Sequence, residues 1–436
     1  MLKKNNVLSV VIVLILCGLS GFAQNNNTTS PYSRFGIGDL HHYGYGRTAA
    51  MGGASLGSRH SVQINSANPA SYNSTDSLSF IFDFGVDAKY SNYKSVSGSL
   101  NTNDVNFRYF SLSWPVTKWL GMATGIQPFS DMGYDVQYHE NVGGIGNIFH
   151  SYQGEGTTSK AFFGLAVSPF KGLSVGANLN YIFGRLNQNS TVSFDRADLF
   201  YLYKTEGNRL RDFRMTYGLQ YDIKLKNDEF LTIGATFENQ TNITSLHRLF
   251  SYKAITIAGS TLNVTRDSIA ERKDHIKLPS SFGLGLSYSK INKIEVNLDY
   301  YHSGWSDSKT SFVYNPVLKE YALEKDDNLT NQNRISAGFE YIPEALSIRS
   351  YLKRVRYRAG IHQEYSYLKL NGQQIKELGV SFGAGFPFTK SKSTANLAIE
   401  FGKKGTTSND LVRENYTKLS IYFNLYDYWF VKHKYE

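Results

Sequence analysis

Few residues in this sequence have the types and spacing that catalysis needs. The nearest approach to a hydrolase site is His302 beside Ser303, next to Tyr301. A nucleophile and its base must face each other, whereas adjacent residues of a strand point to opposite faces. His302 and Ser303 therefore cannot form such a pair, and the sequence shows no other nucleophile–base constellation. We predict that the protein is not an enzyme.

The paired histidines His41 and His42 are the closest match to a metal site. No third ligand follows them at a spacing typical of transition-metal sites. The only cysteine, Cys17, lies in the leader described below, so the remaining chain can form neither a disulfide nor a thiolate site. We predict no metal and no cofactor.

Charged residues recur at alternate positions of segments that we interpret as strands. Arg354, Arg356 and Arg358 fall on one such segment, and further charges fall on others, namely Glu295, Asp299, Arg334, Glu340 and Glu400. Three guanidinium groups on one face can bind a carboxylate or phosphate head group. Alternatively, these charges pair and brace a narrow lumen against a plug. We favour bracing, because charges on the inner wall of a barrel need partners whatever the function.

The composition points to β structure with an amphipathic outside. The chain has 436 residues, with 31 Tyr and 28 Phe but only 9 Pro, and a formal charge of +10. Aromatic residues favour strands and also populate membrane interfaces. The positive charge is spread along the chain without a basic helix or an aromatic-basic RNA motif, so we predict no binding of nucleic acid.

The first 23 residues read as a cleaved signal peptide. Lys3 and Lys4 precede an apolar run over 7–16, and a small-residue cleavage site over 21–23 precedes Gln24. A lipoprotein site at Cys17 is disfavoured because the preceding Leu16 is bulky. The remaining chain divides into a polar lead-in and plug, residues 24–77, and a barrel, residues 78–436.

Strict alternation of apolar and polar residues dominates the chain after residue 77. Phe80, Phe82 and Phe84 share one face of the first such segment, and Asp83 and Asp87 share the other. The same pattern predicts fourteen strands, at 78–91, 105–115, 119–129, 158–169, 172–185, 211–225, 229–239, 279–290, 292–303, 333–342, 353–365, 375–387, 394–402 and 416–427.

The connections alternate between short turns and long polar loops, the latter over 130–157, 186–210, 240–278 and 304–332. This asymmetry is typical of outer-membrane barrels, whose long loops lie outside the cell. A soluble sandwich or propeller would need evenly spaced turns, and no repeat of blade length is present. We predict an all-β, 14-stranded antiparallel transmembrane β-barrel with an N-terminal plug, located in the cell outer membrane and in contact with its lipid.

The plug carries two short motifs. Gly52 and Gly53 precede Ala54 and permit positive φ or close backbone contact, and Asn68-Pro69-Ala70 favours a turn. With the preceding Arg47, this order resembles the N-terminal signature of the long-chain fatty-acid transporter (FadL) superfamily, which includes PorV-like proteins of Bacteroidetes. The opening over 30–39 and the ending over 428–435 are similar to outer-membrane proteins of that phylum. Ser71 departs from the family pattern, which has Gly there.

The resemblance implies a hatch followed by fourteen strands, and a kink in the third strand that opens the wall sideways. Here the third strand holds Gly121, Gly125 and Pro128, which are residues that bend or interrupt a strand. They are either a lateral gate or an ordinary rim irregularity. In the second strand, Phe107 and Tyr109 are out of phase with Phe110, which predicts a bulge.

Two functions fit the resemblance. The first is passive transport of a hydrophobic small molecule around the plug, served by an apolar patch near the extracellular mouth that Ile145, Ile148 and Phe149 of the loop 130–157 line. The second is a non-transporting subunit, similar to PorV-like proteins, that binds an envelope protein complex in secretion or outer-membrane assembly. Near the C-terminus, Trp429 and Phe430 are either a signal for the barrel-assembly machinery during insertion or aromatic residues of the membrane interface.

Overall fold

The computed structural model describes residues 28–42, 44–196, 199–257, 260–315, 320–389 and 391–428. The predicted signal peptide and the pair Trp429 and Phe430 lie outside these residues. No helix among the described residues has the length and apolarity needed to span a bilayer.

Alternating sequence patterns become long antiparallel strands. In chain order they are β1 (Asp39–Leu40), β2 (Ser79–Lys94), β3 (Ser99–Pro115), β4 (Leu120–Val142), β5 (Gly146–Phe170), β6 (Leu173–Phe194), β7 (Tyr201–Lys226), β8 (Glu229–Glu238), β9 (Thr241–Ile257), β10 (Ser260–Leu278), β11 (Ser281–Lys290), β12 (Ile294–Ser303), β13 (Lys309–Asn315), β14 (Glu320–Lys325), β15 (Gln332–Tyr341), β16 (Arg356–Leu370), β17 (Gln373–Pro387), β18 (Thr394–Lys404) and β19 (Arg413–Tyr428).

The sheet closes because β19 pairs with β2 along its whole length. Two wall strands are interrupted. β8 and β9 both pair with β7 and together make one strand, and β10 and β11 pair with β9 and β8 to make the next. The result is a closed 14-stranded antiparallel β-barrel, as the sequence predicts.

The two faces of each wall strand separate by polarity. On β12, Glu295, Asn297 and Asp299 are buried towards the lumen, whereas Val296 and Leu298 are exposed on the outer surface. The outer face is apolar along most of the wall, as expected for a surface in contact with lipid.

Most of the predicted long loops are in fact strand extensions. β4 continues to Val142 and β5 starts at Gly146, and β6, β7, β9 and β10 extend in the same way. β4 to β7 have 23, 25, 22 and 26 residues, although about 9–11 residues suffice to cross a bilayer. These extensions are rich in Asn, Ser, Thr and charged residues, a composition that is typical of loops. We call the strand residues within 135–153, 188–206 and 249–269 the projecting sheet.

Residues 28–77, here called the N-terminal segment, lie inside the barrel. Three short 3-10 turns (Pro31–Arg34, Gly46–Met51 and Pro69–Ser74) and the two-residue strand β1 are its regular elements. The turn Pro69–Ser74 contacts β4 to β7, and the turn Gly46–Met51 contacts β15 to β19. The segment therefore reaches both sides of the inner wall.

Candidate functional site: the N-terminal segment and the β3–β4 seam

Glycines line the inner wall wherever the backbone of the N-terminal segment comes closest. A Cβ atom at Gly234 would lie 2.1 Å from the carbonyl oxygen of Leu56, and one at Gly360 would lie 2.1 Å from the backbone nitrogen of Gly52. Further glycines in this position are Gly121, Gly176, Gly218, Gly285, Gly338 and Gly383. These contacts leave no space for a side chain, so the glycines allow the segment to sit directly on the wall.

The Gly52-Gly53-Ala54 motif fixes the segment to the wall by backbone hydrogen bonds. Gly52 has φ 64° and ends the 3-10 turn Gly46–Met51, a conformation that favours glycine. Its N–H donates to Ser381 Oγ at 2.9 Å, and its carbonyl oxygen accepts from Arg334 Nη2 at 3.2 Å. The carbonyl oxygen of Ala54 accepts from Asn297 Nδ2 at 3.3 Å.

The Asn68-Pro69-Ala70 motif is a helix cap tied to the wall. Asn68 is fully buried, and its Oδ1 accepts from Ala70 N at 3.1 Å, while Pro69 occupies the first position of the 3-10 turn. The same side chain donates from Nδ2 to the carbonyl oxygens of Leu56 at 2.9 Å and Leu219 at 3.2 Å. One side chain thus joins two parts of the segment and strand β7.

Two of the predicted lumen charges pair with Arg47 of the N-terminal segment, and a third, Arg358, joins them through Glu340. Arg47 Nη1 is 2.9 Å from Glu295 Oε2, and Arg47 Nη2 is 3.1 Å from Glu340 Oε1. Arg358 Nε donates to Glu340 Oε2 at 2.6 Å. The sequence pattern did not identify Arg47 as a partner, because pairing across 248 residues leaves no local signal.

Asp299 holds the segment by accepting hydrogen bonds from two backbone N–H groups. Its Oδ2 accepts from the backbone N–H groups of Ser55 at 2.6 Å and Leu56 at 2.9 Å. A carboxylate that accepts two backbone hydrogen bonds is a strong tether, because charge-assisted hydrogen bonds are shorter and stronger than neutral ones.

The remaining predicted lumen charges are dispersed. Arg334 pairs with Glu364 at 2.8 Å, and Glu400 pairs with Lys418 at 3.1 Å. Arg356 is the first residue of β16, but Arg354 lies in the preceding 3-10 turn Leu352–Arg354 with its guanidinium over Tyr351. The strand starts later than the sequence predicted, so the three arginines do not form one row.

The wall is incompletely paired between β3 and β4. The two strands pair only from Phe110 with Ile126 to Pro115 with Gly121, and no further β3–β4 pair occurs among the described residues. Gly121 and Gly125 lie within the paired part. Pro128 lies just beyond it, where the register between β4 and β5 shifts. We call the unpaired stretch the β3–β4 seam.

A bulge in β3 borders the seam, as the sequence predicted. Gly85 of β2 faces Tyr109 while the next residue, Val86, faces Phe107, so Arg108 is the extra residue. Arg108 Nε pairs with Asp87 Oδ2 at 2.8 Å. The bulge lets Tyr109 point inward while Phe107 points outward, which explains the change of phase in the sequence.

The N-terminal segment covers the seam from inside. β1 pairs with Ser130 and Asp131 of β4, and Thr29 Oγ1 donates to Asp104 Oδ1 of β3 at 3.0 Å. Nearby, His41 Nε2 is 2.6 Å from Asp131 Oδ2. Burial lowers the pKa of His41 below its ordinary value, and the Asp131 carboxylate opposes that shift. Both edges of the seam therefore have partners in the segment.

The space left around the segment is polar. A cavity of about 170 Å³ lies between the segment and the wall, lined by charged residues that include Asp87, Arg108, Glu377 and Lys418. A neighbouring apolar cluster, which shares Tyr367 with the lining of this cavity, consists of packed side chains that include Ile37 and Trp305. Ile145, Ile148 and Phe149 lie at the tip of the β4–β5 hairpin and take no part in that cluster.

Comparison with known proteins places the chain in a family. The family model for BamG matches residues 1–436, the whole chain. The chain belongs to the BamG family. No curated protein matches it.

Solved structures similar to this BamG-family barrel are hydrocarbon channels. The CymD monoaromatic hydrocarbon channel is 16% identical with a TM-score of 0.57, covering 88% of this chain and 97% of its own. The toluene transporter TbuX of Ralstonia pickettii is 15% identical with a TM-score of 0.57, covering 92% and 99%. The toluene transporter TodX of P. putida is 17% identical with a TM-score of 0.58, covering 91% and 100%. These similarities establish a shared FadL-like barrel fold.

Proposed function

We propose that this BamG-family protein is an outer-membrane barrel with a permanently closed lumen that binds partner proteins in envelope assembly. The observation that carries the proposal is the fixation of the N-terminal segment by Arg47, which forms buried ion pairs with Glu295 and Glu340. A hatch that moves aside during transport would leave the buried Glu295 carboxylate without its arginine and Glu340 with Arg358 alone, at a cost of several kcal/mol.

The polar cavity supports the same function. Sites for apolar ligands are lined predominantly by apolar side chains. The 170 Å³ cavity is instead lined by carboxylates, ammonium groups and guanidinium groups, which would have to lose water to admit a hydrocarbon. The neighbouring apolar cluster is already packed with the protein's own side chains.

The projecting sheet supplies a surface for a partner. It extends the strands far beyond the length needed for the membrane and carries paired aromatic rings, such as Tyr138 with His150 at 4.5 Å and Tyr203 with Tyr252 at 4.9 Å between centroids. Aromatic residues are enriched at protein interfaces. The BamG family name, with its link to barrel assembly, and the resemblance to PorV-like proteins of Bacteroidetes support an envelope protein complex as the partner.

The test is a mild-detergent purification of the tagged protein from its native outer membrane, followed by mass spectrometry of co-purifying proteins and lipids. We expect a stoichiometric envelope-assembly protein and no apolar ligand retained in the lumen. A barrel that purifies alone with a bound fatty acid or hydrocarbon would refute the proposal.

Passive transport of a hydrophobic compound is the second candidate, and the β3–β4 seam is the observation that favours it. Because the pairing of β3 with β4 stops before Pro128, the wall can open sideways there if β1 withdraws from β4. The described similarity to toluene transporters is compatible with such a route. This candidate requires the N-terminal segment to move, whereas the first requires it to stay.

A further inference from the structure

We infer that the inner wall of the barrel carries a divalent-metal site formed by His362, Glu377 and Glu400. The three residues lie on the adjacent strands β16, β17 and β18, and one potential ligand atom from each lies within 4.8 Å of the others. The site borders the 170 Å³ cavity. It is independent of whether the barrel binds partners or transports.

Two glycines bring these side chains together. His362 pairs with Gly379 of β17, and its ring lies across that glycine, because a Cβ atom there would be 2.3 Å from His362 Cε1. From the other side, Tyr416 of β19 crosses Gly402 of β18, where a Cβ atom would be 2.1 Å from Tyr416 Cζ. His362 of β16 and Tyr416 of β19 therefore approach the carboxylates of β17 and β18, which lie between them.

The imidazole of His362 is almost completely buried, with an exposed fraction of 2%. In the part of the chain that the structure describes, neither Nδ1 nor Nε2 has a hydrogen-bond partner. Nε2 is 3.5 Å from Glu377 Oε1, a contact that does not meet hydrogen-bond geometry. Leaving a buried polar group unsatisfied costs about 1–3 kcal/mol. A cation between the ring and the carboxylates would be coordinated by the unused lone pair of an imidazole nitrogen.

The hydroxyl group of Tyr416 lies between the two carboxylates. It is 2.6 Å from Glu377 Oε1 and 2.9 Å from Glu400 Oε1, so its single proton can donate to either oxygen, an outer-shell contact of the kind that fixes ligating carboxylates. Lys418 Nζ also contacts Glu400 Oε1 at 3.1 Å. This ammonium group offsets part of the negative charge, so we expect moderate rather than very tight affinity.

The donor set selects the class of metal. One imidazole nitrogen and two carboxylate oxygens suit Zn²⁺ or Mn²⁺ better than the all-oxygen cations Ca²⁺ and Mg²⁺. The adjoining cavity is large enough for water molecules to complete the coordination. The ion would join three strands of the wall.

The experiment is a titration of the EDTA-treated, full-length mature protein in detergent with Zn²⁺, followed by calorimetry, with metal content measured after dialysis. We expect one Zn²⁺ per chain, and at least tenfold weaker binding in His362→Gln and in Glu377→Gln. The control His302→Asn changes a histidine that bonds to Asn333 outside the proposed site and should bind like the wild type.

Folding of each variant is checked by the heat-dependent shift of barrel migration on gels. Low-temperature EPR of Mn²⁺ added to the wild type gives a second readout and should show nitrogen coupling that His362→Gln abolishes. Absence of stoichiometric uptake by the wild type would overturn the proposal and leave His362 and Glu377 as an ion pair. Equal uptake by folded wild type and both variants would also overturn it.

Discussion

Arg47 of the N-terminal segment and Glu295 of β12 form an ion pair of 2.9 Å with 4% of each side chain exposed. Ser58 Oγ donates to the other carboxylate oxygen of Glu295 at 2.7 Å, so both oxygens are bound by the segment. A buried charge must keep its partner, because the alternative is an unpaired ion in a medium of low dielectric. The pair thus determines where the segment sits in the barrel.

Replacing Arg47 by Met should lower the free energy of unfolding by about 3 kcal/mol, because Glu295 and Glu340 lose a buried partner. Urea unfolding of the barrel in lipid vesicles, followed by tryptophan fluorescence, measures the change. The double variant Arg47→Met with Glu295→Gln should recover part of the loss, since the carboxylate that lost its arginine no longer carries a charge.

An exposed ion pair provides the matched control. Lys392 pairs with Asp76 at 2.6 Å, but 47% of the lysine side chain is exposed. Lys392→Met should cost no more than about 1 kcal/mol, as is usual for surface pairs. Equal losses for Arg47→Met and Lys392→Met would show that Arg47 does not fix the segment.

Gly360→Ala should displace the N-terminal segment from the wall. The added Cβ atom would lie 2.1 Å from both Gly52 N and Met51 C. These are backbone atoms, so a change of side-chain rotamer cannot relieve the clash. Planar-bilayer recordings should then show conductance that the wild type lacks. Gly98→Ala is the control, because nothing lies within 4 Å of its Cβ position. A closed Gly360→Ala barrel would contradict the importance of this contact.

A disulfide between β1 and β4 separates the two candidate functions. Leu40 and Ser130 are register partners, and the predicted mature chain contains no cysteine, so Leu40→Cys with Ser130→Cys gives a single engineered pair. We expect oxidation to leave partner binding unchanged, because the segment already stays in place. Partner recovery is measured with and without reductant.

The same variant tests transport directly. If oxidation blocks uptake of radiolabelled toluene and reduction restores it, the segment moves and the closed-lumen proposal fails. Asn92→Cys with Asn101→Cys, which links a register pair of the β2–β3 hairpin away from β1, controls for the presence of a disulfide.

Shortening the β4–β5 hairpin should weaken partner binding without unfolding the barrel. Gln137 and Ser151 are register partners, so residues 138–150 can be replaced by Asn-Gly, which favours a two-residue hairpin turn. We expect at least tenfold lower recovery of the co-purifying protein. The control removes residues 309–325, which include β13 and β14 of a separate two-stranded sheet. Full recovery with the shortened hairpin would place the interface elsewhere.

The sequence by itself determined the barrel. Period-two alternation is a local property, since each strand such as β2 or β12 must present Phe82 or Val296 to lipid and Asp83 or Glu295 to the interior. The same pattern located all fourteen wall strands, including the bulge at Arg108. It failed in the projecting sheet, whose many Asn, Ser, Thr and charged residues gave it the composition of long loops.

Only the tertiary structure decided what the interior residues do. Arg47 finds Glu295, and His362 approaches Glu400, because barrel closure and strand register bring distant residues to one face. In the sequence, Gly234 and Gly360 cannot be told from any other strand glycine. Their role, which is to leave space for the backbone of Leu56 and Gly52, is visible only in the folded chain. Pairing across the lumen depends on the path of the chain through space, which no local pattern encodes.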